Sequence, residues 1–128
     1  MHQGSCLCGA VRYEIDGDIP KITHCHCSMC RKMHGSAFGS YLIVPRSAFR
    51  ITAGADHIAA YVSSPGVQRT FCRQCGATLQ WYEDDPNAVM GVAAGTLDTP
   101  LDPPPQKHIF TGSKASWYHI GDDLPRSA

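Results

Sequence analysis

Seven cysteines fall into three groups: Cys6-Leu7-Cys8, Cys25-His26-Cys27-Ser28-Met29-Cys30 and Cys72-Arg73-Gln74-Cys75. Zinc favours thiolate sulfur and holds four such donors in a tetrahedron at about 2.3 Å. A C-x-x-C bend brings two sulfurs together, and Gly76 directly after Cys75 supplies the permissive backbone that such a bend uses. In an extended segment, C-x-C turns both side chains to one face. Cys6 with Cys8, and Cys72 with Cys75, therefore make a four-cysteine set that ties the start of the chain to its middle. A metal held there contributes folding free energy directly. Two blander readings compete. The cysteines could be small buried hydrophobes, which two closely paired groups argue against. Cys72 and Cys75 could form a disulfide, but the thioredoxin-like βαβ setting for one is lacking.

The middle group differs, because Cys25, Cys27 and Cys30 place three ligands within six residues. If the chain enters as a strand and turns into a short helix at Ser28, all three sulfurs converge from one side. The fourth zinc position then stays open, which is the catalytic pattern, whereas closed sites are structural. A histidine could close it. Strand alternation points His24 and His26 away from Cys25 and Cys27, so neither is expected to ligate. His34, further along, remains a candidate. Three thiolates around one Zn²⁺ leave a charge of −1, a weak Lewis acid suited to binding a fourth, incoming thiol as its thiolate. Arg31 and Lys32 follow Cys30 and could add positive charge, although a solvated surface pair is the simpler reading. Asp84–Asp85 and Asp122–Asp123 read as turn acids. Trp81, Trp117 and Phe71 read as core. No nucleophile elbow, P-loop or dinucleotide fingerprint occurs.

The elements that must position these groups are short. Val11, Tyr13 and Ile15 alternate with Arg12 and Glu14, the period of a half-buried strand. Residues 36–44, 58–62, 67–71, 77–82, 88–94 and 107–110 are further strand candidates, separated by Gly, Pro and Asp. Residues 28–34 make the one helical turn, with Ser28 as its N-cap and Gly35 as its stop. Residues 98–105, DTPLDPPP, are a loop, because proline that dense fits neither helix nor central strand. The expectation is a single all-β domain over residues 1–128, a sandwich or a partly open barrel.

Composition bounds the rest. The chain has 128 residues, 43% of them hydrophobic and 17% charged, which is globular. Eleven basic residues balance eleven acidic ones, so no nucleic-acid footprint or polybasic membrane anchor is expected. No secretory signal or membrane span is evident. A cytoplasmic location follows, where thiols stay reduced. The odd cysteine count agrees: disulfides alone would strand one thiol, whereas seven divides into four plus three.

The segments GSCLCGAVRYEI, HCHCSMCRK, RTFCRQCGATL and HIFTGSKASWYHIGDDLP resemble the glutathione-dependent formaldehyde-activating enzyme family, which includes centromere protein V-like members. The resemblance runs from about Gly4 to Pro125. It implies a zinc-stabilised β-tent fold of short antiparallel strands. It also implies a structural zinc on Cys6, Cys8, Cys72 and Cys75, and a catalytic zinc on Cys25, Cys27 and Cys30; with three ligands in one short segment, the second is expected to be the more labile. The implied activity is that of a carbon–sulfur lyase condensing a small thiol such as glutathione with a small aldehyde such as formaldehyde to give S-hydroxymethylglutathione, and the reverse. The competing function is a non-catalytic zinc module that binds a protein partner or buffers zinc. In the enzymatic reading, proton transfer to the adduct oxygen needs an acid or a water, and no residue in the sequence identifies itself as that acid.

Overall fold

A computed structural model describes residues 1–128. Ten strands and one helix form in the order β1 (His2–Ser5), β2 (Arg12–Ile15), β3 (Lys21–Cys25), α1 (Ser28–His34), β4 (Gly39–Pro45), β5 (Phe49–Ala53), β6 (Ile58–Ser64), β7 (Val67–Cys72), β8 (Thr78–Glu83), β9 (Val89–Ala93) and β10 (Gln106–Ile109). They build two sheets, a three-stranded one ordered β1-β2-β5 and a seven-stranded one ordered β10-β3-β4-β9-β8-β7-β6. Pairing is antiparallel except for β10, which lies parallel to β3. The irregular 98–105 segment lets this happen, carrying the chain from β9 back to start β10 in the same direction as β3.

The alternation in β2 sets the main core. Val11, Tyr13 and Ile15 are buried, and Tyr13 and Ile15 pack with Leu42, Val44, Met90 and Val92 of the larger sheet. β4 is buried on both faces. Leu42 and Val44 face this core, while Tyr41 and Ile43 join Cys25 and Cys30 in a separate cluster on the opposite face. Central strands buried on both sides read as continuous apolar runs, as 39–44 does. No helix is long and apolar enough to cross a membrane.

Two local expectations change. The N-cap of α1 is Cys27, whose sulfur accepts from the Cys30 N–H, rather than Ser28; a thiol takes the role that a hydroxyl usually fills. Gly35 does end the helix, in the left-handed conformation. Cys6 and Cys8 lie in a tight turn and not in an extended segment. The Gly9 N–H donates to the Cys6 carbonyl, and the Val11 N–H donates to the Cys6 sulfur.

That turn rests against Gly54, which has φ +76°; a Cβ there would stand 2.0 Å from the Ala10 carbonyl oxygen. Gly54→Ala is expected to cost more than about 3 kcal/mol. Left-handed backbone accounts for about 1–2 kcal/mol, and the displacement of one backbone segment by another accounts for the remainder. A fall in the urea midpoint with an unchanged m-value would show it.

Candidate metal centres

Both cysteine sets converge. The sulfurs of Cys6, Cys8, Cys72 and Cys75 lie within 4.8 Å of one another, as do those of Cys25, Cys27 and Cys30. In the first set, Cys6 and Cys8 are 3.6 Å apart and Cys8 and Cys72 are 3.8 Å apart. A tetrahedron with 2.3 Å metal–sulfur bonds has edges of about 3.8 Å, so the donor set and its spacing fit zinc. Cys72 ends β7, and its carbonyl accepts the Gly76 N–H at 2.7 Å, with Gly76 at φ +80°. The bend is the one expected of the C-x-x-C segment. Since Cys6 and Cys8 follow β1, while Cys72 ends β7 and Cys75 follows it, this set links the two sheets.

The three-cysteine set is built at a strand-to-helix junction. Cys25 is the last residue of β3, Cys27 caps α1 and Cys30 lies in its first turn. Cys25 and Cys30 are buried, and Cys27 is half-buried. All three line a cavity of about 280 Å³. Its floor is one face of the seven-stranded sheet. Thr23 pairs with Tyr41 across β3 and β4, and Arg69 pairs with Trp81 across β7 and β8. Phe110, at φ 54°, lies at its rim, exposed and in a backbone conformation uncommon for an aromatic residue. A larger cavity of about 590 Å³ lies elsewhere, among Pro100, Pro104, Pro105, Asp18 and Asp102, and contains no thiol.

Residues not singled out in the sequence shape the site. Arg69 is 8% exposed, and none of the ion pairs in the chain includes it. Its Nη1 donates to the Cys30 sulfur at 3.5 Å and to the Tyr41 hydroxyl at 3.3 Å, while Nε donates to Ser63. The Cys25 thiol, and after it the Arg69 guanidinium, hold the Cys30 thiol below the ordinary thiol range, against the opposing effect of burial. The Cys30 thiol in turn pushes Cys25 up. Tyr41 is pushed up chiefly by its own burial. A charged residue inside the strand 67–72 was the only sequence signal for Arg69.

The histidines go elsewhere. His24 bonds Ser40 at 2.7 Å and Gln106 at 2.8 Å. His26, fully buried, places Nε2 2.8 Å from Nδ1 of His108, whose Nε2 lies 3.0 Å from the Asp122 carboxylate. This chain of contacts fastens the C-terminal segment, whose backbone at Pro125 and Ser127 also pairs with His108 of β10. His34 Nε2 lies 2.8 Å from the Tyr41 hydroxyl. Arg31 is half-buried and Lys32 exposed. Lys32 lines a second cleft of about 310 Å³ that shares Met29 and Arg69 with the cysteine cavity. Trp81 lines the cysteine cavity and is not simply core; Trp117 is 72% exposed, contrary to a core role.

The family profile for glutathione-dependent formaldehyde-activating enzymes matches residues 1–113. The chain belongs to this family. A Halomonas elongata protein carrying the family name is 29% identical over 126 residues, spanning 92% of this chain and 80% of that protein. An uncharacterised lyase of Schizosaccharomyces pombe is 31% identical over 78 residues, and an Emericella nidulans protein with the family name is 36% identical over 76. Those alignments span 55% and 39% of the two fungal proteins. Among solved structures, a Rhodobacter sphaeroides protein superposes with a TM-score of 0.65 at 26% identity, over 77% of this chain and 89% of its own.

Proposed function

We propose that this chain is a zinc-dependent carbon–sulfur lyase that forms and breaks adducts between a small thiol such as glutathione and a small aldehyde such as formaldehyde. The supporting observation is the three-thiol cluster Cys25, Cys27 and Cys30 opening on a cavity that also contains a buried guanidinium with no carboxylate partner. Cys6, Cys8, Cys72 and Cys75 would hold a structural zinc, and Cys25, Cys27 and Cys30 a catalytic one. At the three-cysteine position, zinc would keep a fourth, incoming sulfur deprotonated at neutral pH. The family name and those of the relatives agree with this substrate pair.

The residues of the chain then have definite tasks. Arg69 offsets the surplus negative charge of a thiolate-rich site and orients Cys30. The cavity, near the small end for ligand pockets, admits the sulfur end of a thiol and a small aldehyde. The remainder of a longer thiol would run out past Met29 and Arg69 into the cleft where Lys32 stands, a cation suited to a carboxylate. Trp81, Ile109 and Phe110 exclude water from the reacting atoms.

A steady-state assay with glutathione and formaldehyde, then with other thiol–aldehyde pairs, against the uncatalysed reaction, tests the proposal. Acceleration above background supports it. Zinc-loaded protein that binds thiols yet accelerates none of them would establish the binding-module reading instead. Arg69→Met is expected to lower the affinity of the three-cysteine site for zinc by roughly 10–100-fold, the usual effect of losing a partner that stabilises a ligand. Competition with a chelator would measure it, with the four-cysteine site as the internal reference.

A further inference from the structure

The reaction proposed above leaves one proton unassigned. When sulfur adds to a carbonyl carbon, the oxygen becomes an alkoxide and must be protonated. No Asp, Glu or His lines the cysteine cavity. Thr23 and Ser64 carry only weakly acidic aliphatic hydroxyls, and Arg69 stays protonated. The remaining oxygen acid is Tyr41. Its ring packs in the same cluster as Cys25 and Cys30, and Arg69 Nη1 reaches both its hydroxyl and the Cys30 sulfur.

Tyr41 has a second connection. Its hydroxyl lies 2.8 Å from Nε2 of His34. His34 is half-buried and does not line the cysteine cavity; it lines another cleft of about 470 Å³, beside Met33, Phe38 and Thr78. The contact depends on an absent side chain. A Cβ on Gly39 would stand 2.6 Å from His34 Cδ2, 2.7 Å from Nε2 and 3.1 Å from the Tyr41 ring. The imidazole therefore occupies the space that Gly39 leaves open.

We propose that Tyr41 is the catalytic acid–base of this site and that His34 connects it to solvent in the second cleft. This rests on the thiol–aldehyde reading above. His34 donates its Nε2–H to the phenol oxygen, which also accepts from Arg69, and the phenolic proton is left to point into the cavity. In condensation, a lone pair of the substrate thiolate forms the C–S bond and the carbonyl π pair moves onto oxygen. That oxygen takes the Tyr41 proton. The phenolate takes the Nε2 proton of His34 as a solvent proton enters at Nδ1 from the second cleft, so the imidazole passes from one neutral tautomer to the other. One solvent proton is consumed, matching the one released when the thiol ionised. In the reverse direction the relay first carries the Tyr41 proton through His34 to solvent, and the phenolate then takes the hydroxyl proton as the C–S bond breaks.

The test uses zinc-loaded protein with glutathione and formaldehyde, and a parallel cobalt-substituted sample whose sulfur-to-metal absorption reports thiol binding. Tyr41→Phe is expected to lower kcat by on the order of 10²-fold while the cobalt spectrum still responds to glutathione at the wild-type concentration. His34→Ala is expected to lower kcat with KM little changed. Added imidazole should restore its rate by entering the vacated cleft, with wild type in the same imidazole as reference. His34→Gln, which keeps a hydrogen bond to Tyr41 but cannot relay a proton, should stay slow. Tyr41→Phe with wild-type kcat would overturn the assignment of the acid and leave the lyase reading intact. A slow His34→Ala that imidazole does not restore would overturn the relay. If Tyr41→Phe does not fold, the two His34 variants decide. Wild-type protein that accelerates no thiol–aldehyde pair overturns the lyase reading and this assignment with it.

Discussion

Cys72→Ser is expected to leave the chain unfolded or insoluble, a larger stability effect than any single change in the three-cysteine set. Cys72 is fully buried, in a small cluster with Cys6, Val11 and Leu79. Two of those four residues are themselves proposed ligands, so the apolar core at this end is too thin to hold the sheets together unaided. Structural zinc contributes roughly 10–16 kcal/mol to small metal-dependent folds, against a net stability of about 5–15 kcal/mol for an ordinary protein. Losing one of four ligands, and burying a serine hydroxyl in its place, removes a large part of that margin. Circular dichroism with metal analysis checks this. A fully folded Cys72→Ser protein that lacks one metal would overturn the structural assignment. Mild chelation should meanwhile empty the three-cysteine site first, with the fold retained, because that site draws on one short segment and does not join the sheets.

Cys27→Ser is expected to reduce thiol–aldehyde activity to the uncatalysed rate with the fold retained. The position makes this the cleanest of the three substitutions. Cys27 caps α1, and serine is a favoured N-cap, so the helix keeps its first-turn hydrogen bond. The side chain is half-buried at the cavity, so the new hydroxyl is not stranded. Cys25→Ser and Cys30→Ser should abolish activity equally, but each places a hydroxyl in the cluster with Tyr41 and Ile43, at a cost of about 1–3 kcal/mol. Activity lost in all three, with a smaller thermal shift for Cys27→Ser, is the expected pattern. Near-wild-type activity in Cys27→Ser would exclude the three-cysteine centre as the reacting site.

Both predictions draw on cysteine spacings legible in the chain itself, and the division between local and distant information runs through the whole molecule. C-x-C, C-x-C-x-x-C and C-x-x-C are local geometry, and local geometry brings the sulfurs of each motif together, whereas tertiary structure joins Cys6 and Cys8 to Cys72 and Cys75. Alternation in 11–15 and the apolar run at 39–45 are legible from local pattern alone, and 67–72 and 78–83 read as strands from their apolar and aromatic residues between turn signals. β1 carries no apolar alternation, and β5 only Phe49 and Ile51, so both depend on pairing with β2. Tertiary structure alone decided that Arg69, Tyr41, His34 and Trp81 meet. Each lies on a different element, and strand register, not sequence distance, sets what faces what. In the sequence Arg69 is one charge within a strand, and Tyr41 one aromatic in an apolar run. Their chemistry comes from a shared sheet face, which no window of sequence contains.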